Sequence, residues 1–94
     1  MIRRKGKRNS NEVRVTFALP ADDPHAEAVL VGEFNNWDRT AHPLKKRSNR
    51  TYSVAVTLEK GRKYAFRYYD PANDVWFNDP EADAYAGDNG IIVV

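Results

Sequence analysis

The sequence contains no cysteine, which excludes a disulfide, a thiolate metal site and a cysteine nucleophile. Histidine is nearly as scarce. His25 and His42 are the only two, and both sit in polar, loop-like stretches. Ser10, Ser48 and Ser53 lie in no nucleophile motif. No glycine-rich loop of the phosphate-cradling kind is present. No apolar run approaches the roughly 20 residues that cross a bilayer as a helix. The basic opening MIRRKGKRNS has no apolar segment behind it and does not read as a secretory signal. Helical periodicity is missing throughout. Basic residues are absent after Arg67, whereas Asp70, Asp74, Asp79, Glu81, Asp83 and Asp88 all follow it.

What is present is ordinary for one small globular domain: 94 residues, 41% hydrophobic and 30% charged. The net charge of +2 is uneven, because five of the fifteen basic residues (Arg3, Arg4, Lys5, Lys7, Arg8) fall in the first eight positions. Residues 1–11 therefore read as a basic, disordered tail, and 12–94 as the folded domain. A second basic group, Lys45, Lys46, Arg47 and Arg50, flanks Ser48-Asn49 and reads as a solvated turn.

Strand signals dominate. Val13, Val15, Phe17 and Leu19 alternate with smaller or polar residues, as do Tyr52, Val54, Val56 and Leu58. Ala28–Val31 is a short buried run. Lys63–Tyr69 puts Tyr64, Phe66 and Tyr68 on one face and Ala65, Arg67 and Tyr69 on the other. Leu44–Arg47, Val75–Asn78 and Ile91–Val94 add shorter strands. With turn signals every 8–12 residues, the expected fold is all-β, an immunoglobulin-like antiparallel β-sandwich of about seven short strands.

Two tryptophans stand out. Trp37 stands next to last in the segment GEFNNWD, where Asn35-Asn36 argues for a tight bend. Trp76 follows the turn Asp70–Asp74, and a hairpin about Ala72 brings it near Arg67. Each indole can be core or surface on these grounds alone. An enzyme is not expected: hydrolysis of a glycoside needs opposed carboxylates across a cleft. Asp79-x-Glu81-x-Asp83 with Asp88 lacks the glycine and terminal glutamate of a calcium loop and reads as an acidic loop. No metal and no cofactor are expected.

GEFNNWD, the run Tyr64-Ala65-Phe66-Arg67-Tyr68-Tyr69-Asp70, Trp76-Phe77-Asn78-Asp79-Pro80 and the closing Ile91-Ile92 occur in an order that resembles one family. It comprises the glycogen-binding modules of AMP-activated kinase β subunits and the N-terminal "early set" domains of isoamylases and branching enzymes, carbohydrate-binding module family 48. The resemblance runs from about Val13 to Val94. It implies a non-catalytic module that binds an α-1,4-glucan such as glycogen or starch. It also implies site residues: Trp37 and Trp76 stacking on glucose rings, Arg67 and Asn89 contacting hydroxyls, and Tyr85 as the nearest counterpart of a loop leucine. Two departures bear on the ligand-facing geometry. Asp-Pro-Ala-Asn-Asp stands where Asp-Gly is common, and the Glu81–Asp88 loop is short. The alternative is an early-set scaffold that binds no sugar and docks on a protein partner in trans, such as a glycoside hydrolase or kinase subunit. Neither nucleic acid nor membrane is expected as a partner. The absence of cysteine fits a cytoplasmic location.

Overall fold

The computed structural model describes residues 1–6 and 8–94. The elements in order are β1 (Ile2–Gly6), β2 (Glu12–Pro20), β3 (Val29–Gly32), a 3₁₀ turn (Glu33–Asn35), β4 (Lys45–Lys46), β5 (Thr51–Glu59), β6 (Lys63–Asp70), β7 (Val75–Phe77), β8 (Ala84–Ala86) and β9 (Asn89–Val93). They form two antiparallel sheets. One runs β1-β2-β5-β4, and the other runs β3-β6-β9-β8 with β7 also paired to β6. The all-β sandwich is as expected, with nine described strands rather than about seven.

Period-two alternation explains the long strands. Register pairs Val13, Val15 and Phe17 of β2 with Leu58, Val56 and Val54 of β5, so all six point to one side. Facing them across the sandwich are Leu30, Phe66, Tyr68 and Ile92, each fully buried. The ring of Phe17 meets that of Phe66 edge-on, with centroids 5.1 Å apart. Phe34 joins this core from the 3₁₀ turn, packing near Phe17 and Tyr64. Tyr68 donates its hydroxyl hydrogen bond to the buried carboxylate of Asp79 at 2.6 Å. Burial, and then the charge of Asp79, holds the Tyr68 phenol well above its usual pKa.

The two strands outside the sequence expectation are β1 and β8. Ile2–Gly6, inside the stretch read as a tail, pairs along its whole length with β2. Only Ile2 is apolar there, so no alternation marks the strand. Its hold comes from the ladder, from Ile2 against the core, and from Arg4. Arg4 forms an ion pair with Asp83 and donates to the carbonyl of Val93, clasping the edge of the other sheet.

Candidate functional site

The site is built on the outer side of the β3-β6-β9-β8 sheet. Because Phe66 and Tyr68 point inward, Arg67 and Tyr69 point outward. The β6–β7 register sets Trp76 opposite Tyr69, hence on the same outer face. The ring centroids of Tyr69 and Trp76 lie 4.7 Å apart, tilted by 41°. The Arg67 guanidinium stands 5.8 Å from the Trp76 centroid, within cation–π range. Its Nε donates to Oδ1 of Asn78 at 3.2 Å. From the loop after β3, the Arg39 guanidinium lies 5.5 Å over the Tyr69 ring. The Tyr69 hydroxyl donates to Asp74 at 2.7 Å, and this hydrogen bond is the main cause of its raised pKa. Trp76 therefore rests beside a tyrosine and an arginine, each held by a further partner, and remains 37% exposed.

β7 and β9 flank the same side of β6 and meet at Arg67. Tyr68 pairs with Phe77 and Phe66 pairs with Gly90. One step along either register leads to Arg67, from Asn78 on one strand and from Asn89 on the other. The ladder thus brings both Asn78 and Asn89 beside Arg67.

Trp37 arrives by a different route. A Cβ on Gly32 would lie 2.7 Å from the Ala65 carbonyl oxygen, so only glycine lets β3 approach β6 there. The turn that follows is closed by the side chain of Asn35. Its Oδ1 accepts from the Gly32 amide at 3.0 Å, and its Nδ2 donates to the Leu30 carbonyl and to His42 Nδ1. Glu33 accepts from the Ala65 amide at 2.6 Å. Asn36 and Trp37 then take consecutive left-handed conformations, with φ of 55° and 58°. That conformation suits asparagine but strains a tryptophan by about 1–2 kcal/mol. The Trp37 amide, bonded to the Gly32 carbonyl at 2.9 Å, helps hold it there. The indole is 38% exposed. Neither tryptophan is sealed in the core.

The backbone anchors of Trp37 and Trp76 fall on opposite sides of β6 and about three residues apart along it. At ordinary strand spacing this is about 10 Å across and about 10 Å along. The row of Arg39, Tyr69, Trp76, Arg67 and Asn78 forms one continuous group, and Trp37 stands outside those contacts. Tyr85 is not part of it. Its register through Gly90 to Phe66 turns it to the inner side, where its hydroxyl donates to the Asp79 carbonyl at 2.7 Å. Sequence reasoning missed Arg39 and Asn78 as members of the site. Tyr69 was legible in the alternation of β6 but carried no motif of its own.

Residues 7–86 match the family described as carbohydrate-binding module 48, the isoamylase N-terminal domain. The chain belongs to that family. Modules of this kind are typically carbohydrate-binding parts of glucan-branching and debranching enzymes. The module is 29% identical over 85 residues, or 87% of its length, to an amylopullulanase of Thermoanaerobacterium thermosulfurigenes. It is 37% identical over 54 residues, or 55% of its length, to a 1,4-alpha-glucan branching enzyme of Xanthomonas campestris pv. campestris. A shorter match, 51% over 35 residues and 37% of the module, is to a 1,4-alpha-glucan-branching enzyme of Aspergillus oryzae. The module spans only 5% of the first relative, 7% of the second and 5% of the third.

Proposed function

We propose that the module is a non-catalytic α-1,4-glucan binder that stacks glucose units on Trp76 and Trp37. The observation that carries the reading is the setting of Trp76. A large flat apolar ring stands half in water on a sheet face, wedged between Tyr69 and Arg67, with polar Asn78 beside it. The C–H face of a pyranose suits such a surface, and the rim of hydroxyls suits the arginine and the amides of Asn78 and Asn89. The strained backbone of Trp37 supports the same reading, since backbone strain concentrates at functional positions.

Covering about 60 Å² of sugar on each ring contributes roughly 1.5 kcal/mol at about 25 cal/mol per Å². Two rings and two or three hydrogen bonds, less the ordering cost, place the affinity between about micromolar and about millimolar. The separation of the two anchors fits one glucose unit on each ring rather than both rings on one unit. The test is an NMR titration with maltoheptaose. The indole signals of Trp76 and Trp37 shift, and Trp76→Ala weakens binding about tenfold without altering the fold. Unmoved indole signals at millimolar sugar would overturn the reading.

A further inference from the structure

The other sheet presents a surface that the glucan reading does not use. With Val13, Val15 and Phe17 turned inward, register turns Arg14, Thr16 and Ala18 of β2 outward. The same outer face receives Arg3 and Lys5 from β1, Ser53, Ala55 and Thr57 from β5, and Lys45 from β4. Members of two basic groups that look unrelated in the sequence, Arg3 and Lys5 from the N-terminal stretch and Lys45 from the turn cluster, thus stand on one face. They flank a floor of small and hydroxyl side chains about 14 Å wide across four strands.

Two features set these cations apart. Lys5 and Arg14 are direct cross-strand partners, and like charges so placed destabilise a sheet. Among the described residues, none of Arg3, Lys5, Arg14 and Lys45 forms an ion pair. The acidic residues on this face are Glu12 and Glu59, paired with each other in register at one end, and Glu59 is engaged by Arg62. Shallow hollows follow the face, one of about 210 Å³ at Glu12, Arg14, Ala55 and Thr57 and one of about 40 Å³ at Arg3, Thr16 and Ser53. A separate cavity of about 640 Å³ is lined by Lys46, Arg47 and Arg50 together with Asp22.

We infer that this face binds the phosphate backbone of duplex nucleic acid without reading its sequence. Arginine, lysine, serine and threonine are the side chains that contact phosphates. On the floor, Ser53 already accepts from Arg47, through its hydroxyl and its carbonyl, so that guanidinium adds a further cation there. The face carries no aromatic residue on which single-stranded bases could stack. It has no large apolar side chain to enter a bilayer. Lysine, serine and alanine are the residues that protein–protein interfaces deplete, and aromatic anchors are missing. A duplex therefore fits better than a membrane or an acidic protein.

The test uses the whole chain and a fluorescein-labelled DNA duplex of arbitrary sequence, followed by anisotropy. With about four phosphates engaged, the log–log salt slope is about −3 to −4, so affinity falls on the order of 10²-fold from about 50 to about 200 mM salt. Arg3→Gln with Arg14→Gln reduces the slope by about 2, and Lys45→Gln, on the far rail, by about 1. Circular dichroism confirms that each variant is folded. Lys5→Thr weakens DNA binding yet raises Tm by about 1–4 °C, because it removes a repulsion; a purely structural lysine would lower it. Trp76→Ala leaves DNA binding unchanged and saturating maltoheptaose does not compete, so this inference and the glucan reading fail separately. No binding at about 50 mM salt, an unchanged slope in the folded variants, or equal binding to poly-L-glutamate would each overturn it.

Discussion

The two outer faces of this sandwich share one backbone plan and differ in almost everything chemical. On the β6 sheet the outward positions carry Arg67, Tyr69 and Trp76, a flat aromatic surface whose cations are stacked on rings. On the β2 sheet they carry Arg3, Lys5, Arg14 and Lys45 around threonine, serine and alanine, with no ring for a cation to rest on. Alternation fixes which residues face outward but says nothing of what they bind. That is decided by whether a cation is anchored to an aromatic neighbour, as on the first face, or left to repel its own kind, as on the second. The first arrangement suits a neutral ligand with an apolar side; the second suits a polyanion.

This contrast can be broken first at Gly32. Gly32→Ala drives a Cβ toward the Ala65 carbonyl, a backbone atom that cannot step aside. The expected cost is about 1–3 kcal/mol, read as a Tm drop by differential scanning calorimetry, together with loss of maltoheptaose binding. Unchanged Tm would show that β3 and β6 do not approach as described. A milder strike is Asn36→Ala, which puts a Cβ-bearing residue without an amide into the left-handed turn before Trp37. A loss of about 1 kcal/mol, or about 4–8 °C, is expected, with sugar binding weakened and DNA binding kept.

Titration sharpens the comparison further. The folded Tyr68 phenol lies well above its unfolded value near 10. Its contribution to stability is whole below about pH 10 and is lost as pH rises through the folded value. Alkaline difference absorbance at 295 nm should therefore show Tyr68 ionising only as the chain unfolds, and Tyr68→Phe should flatten that decline. The smallest effect is expected at Asp70, whose carboxylate accepts from Asn73 and lies 2.7 Å from His25 Nδ1. The Asn73 amide, then His25, lowers its pKa, so its contribution is present above about pH 4 and fades as pH falls through the folded value. The Tm difference between the native chain and Asp70→Asn should shrink toward acid; a gap that persists at pH 2 would contradict the assignment.

Much of the fold was legible because β2, β5 and β6 each alternate over seven residues or more, and parity alone put Arg67 and Tyr69 on one face. β1 escaped notice because Ile2-Arg3-Arg4-Lys5 contains a single apolar residue and is held by pairing and by the reach of Arg4. β8, Ala84–Ala86, is too short and too exposed to show a period. In the site, Trp37, Arg67 and Trp76 were visible as residue types at telling positions. Asn78 and Arg39 depend on register between strands and on the path of a loop, neither of which a one-dimensional pattern encodes. Tyr85 failed to join for the same reason, since a single step of pairing with Gly90 decides its side.

The meeting of β7 and β9 at Arg67 makes them, in effect, one strand with an excursion let into it. The chain between Asn78 and Asn89 leaves β6 and comes back to the same place, pairing as β8 with β9 on its return. Gly87, in the turn between β8 and β9 at φ 59°, has open space around it. Residues could be spliced in there, lengthening the detour into a reporter loop, a longer ligand-gripping arm or a graft from a sister module, while Arg67 keeps an asparagine on either hand.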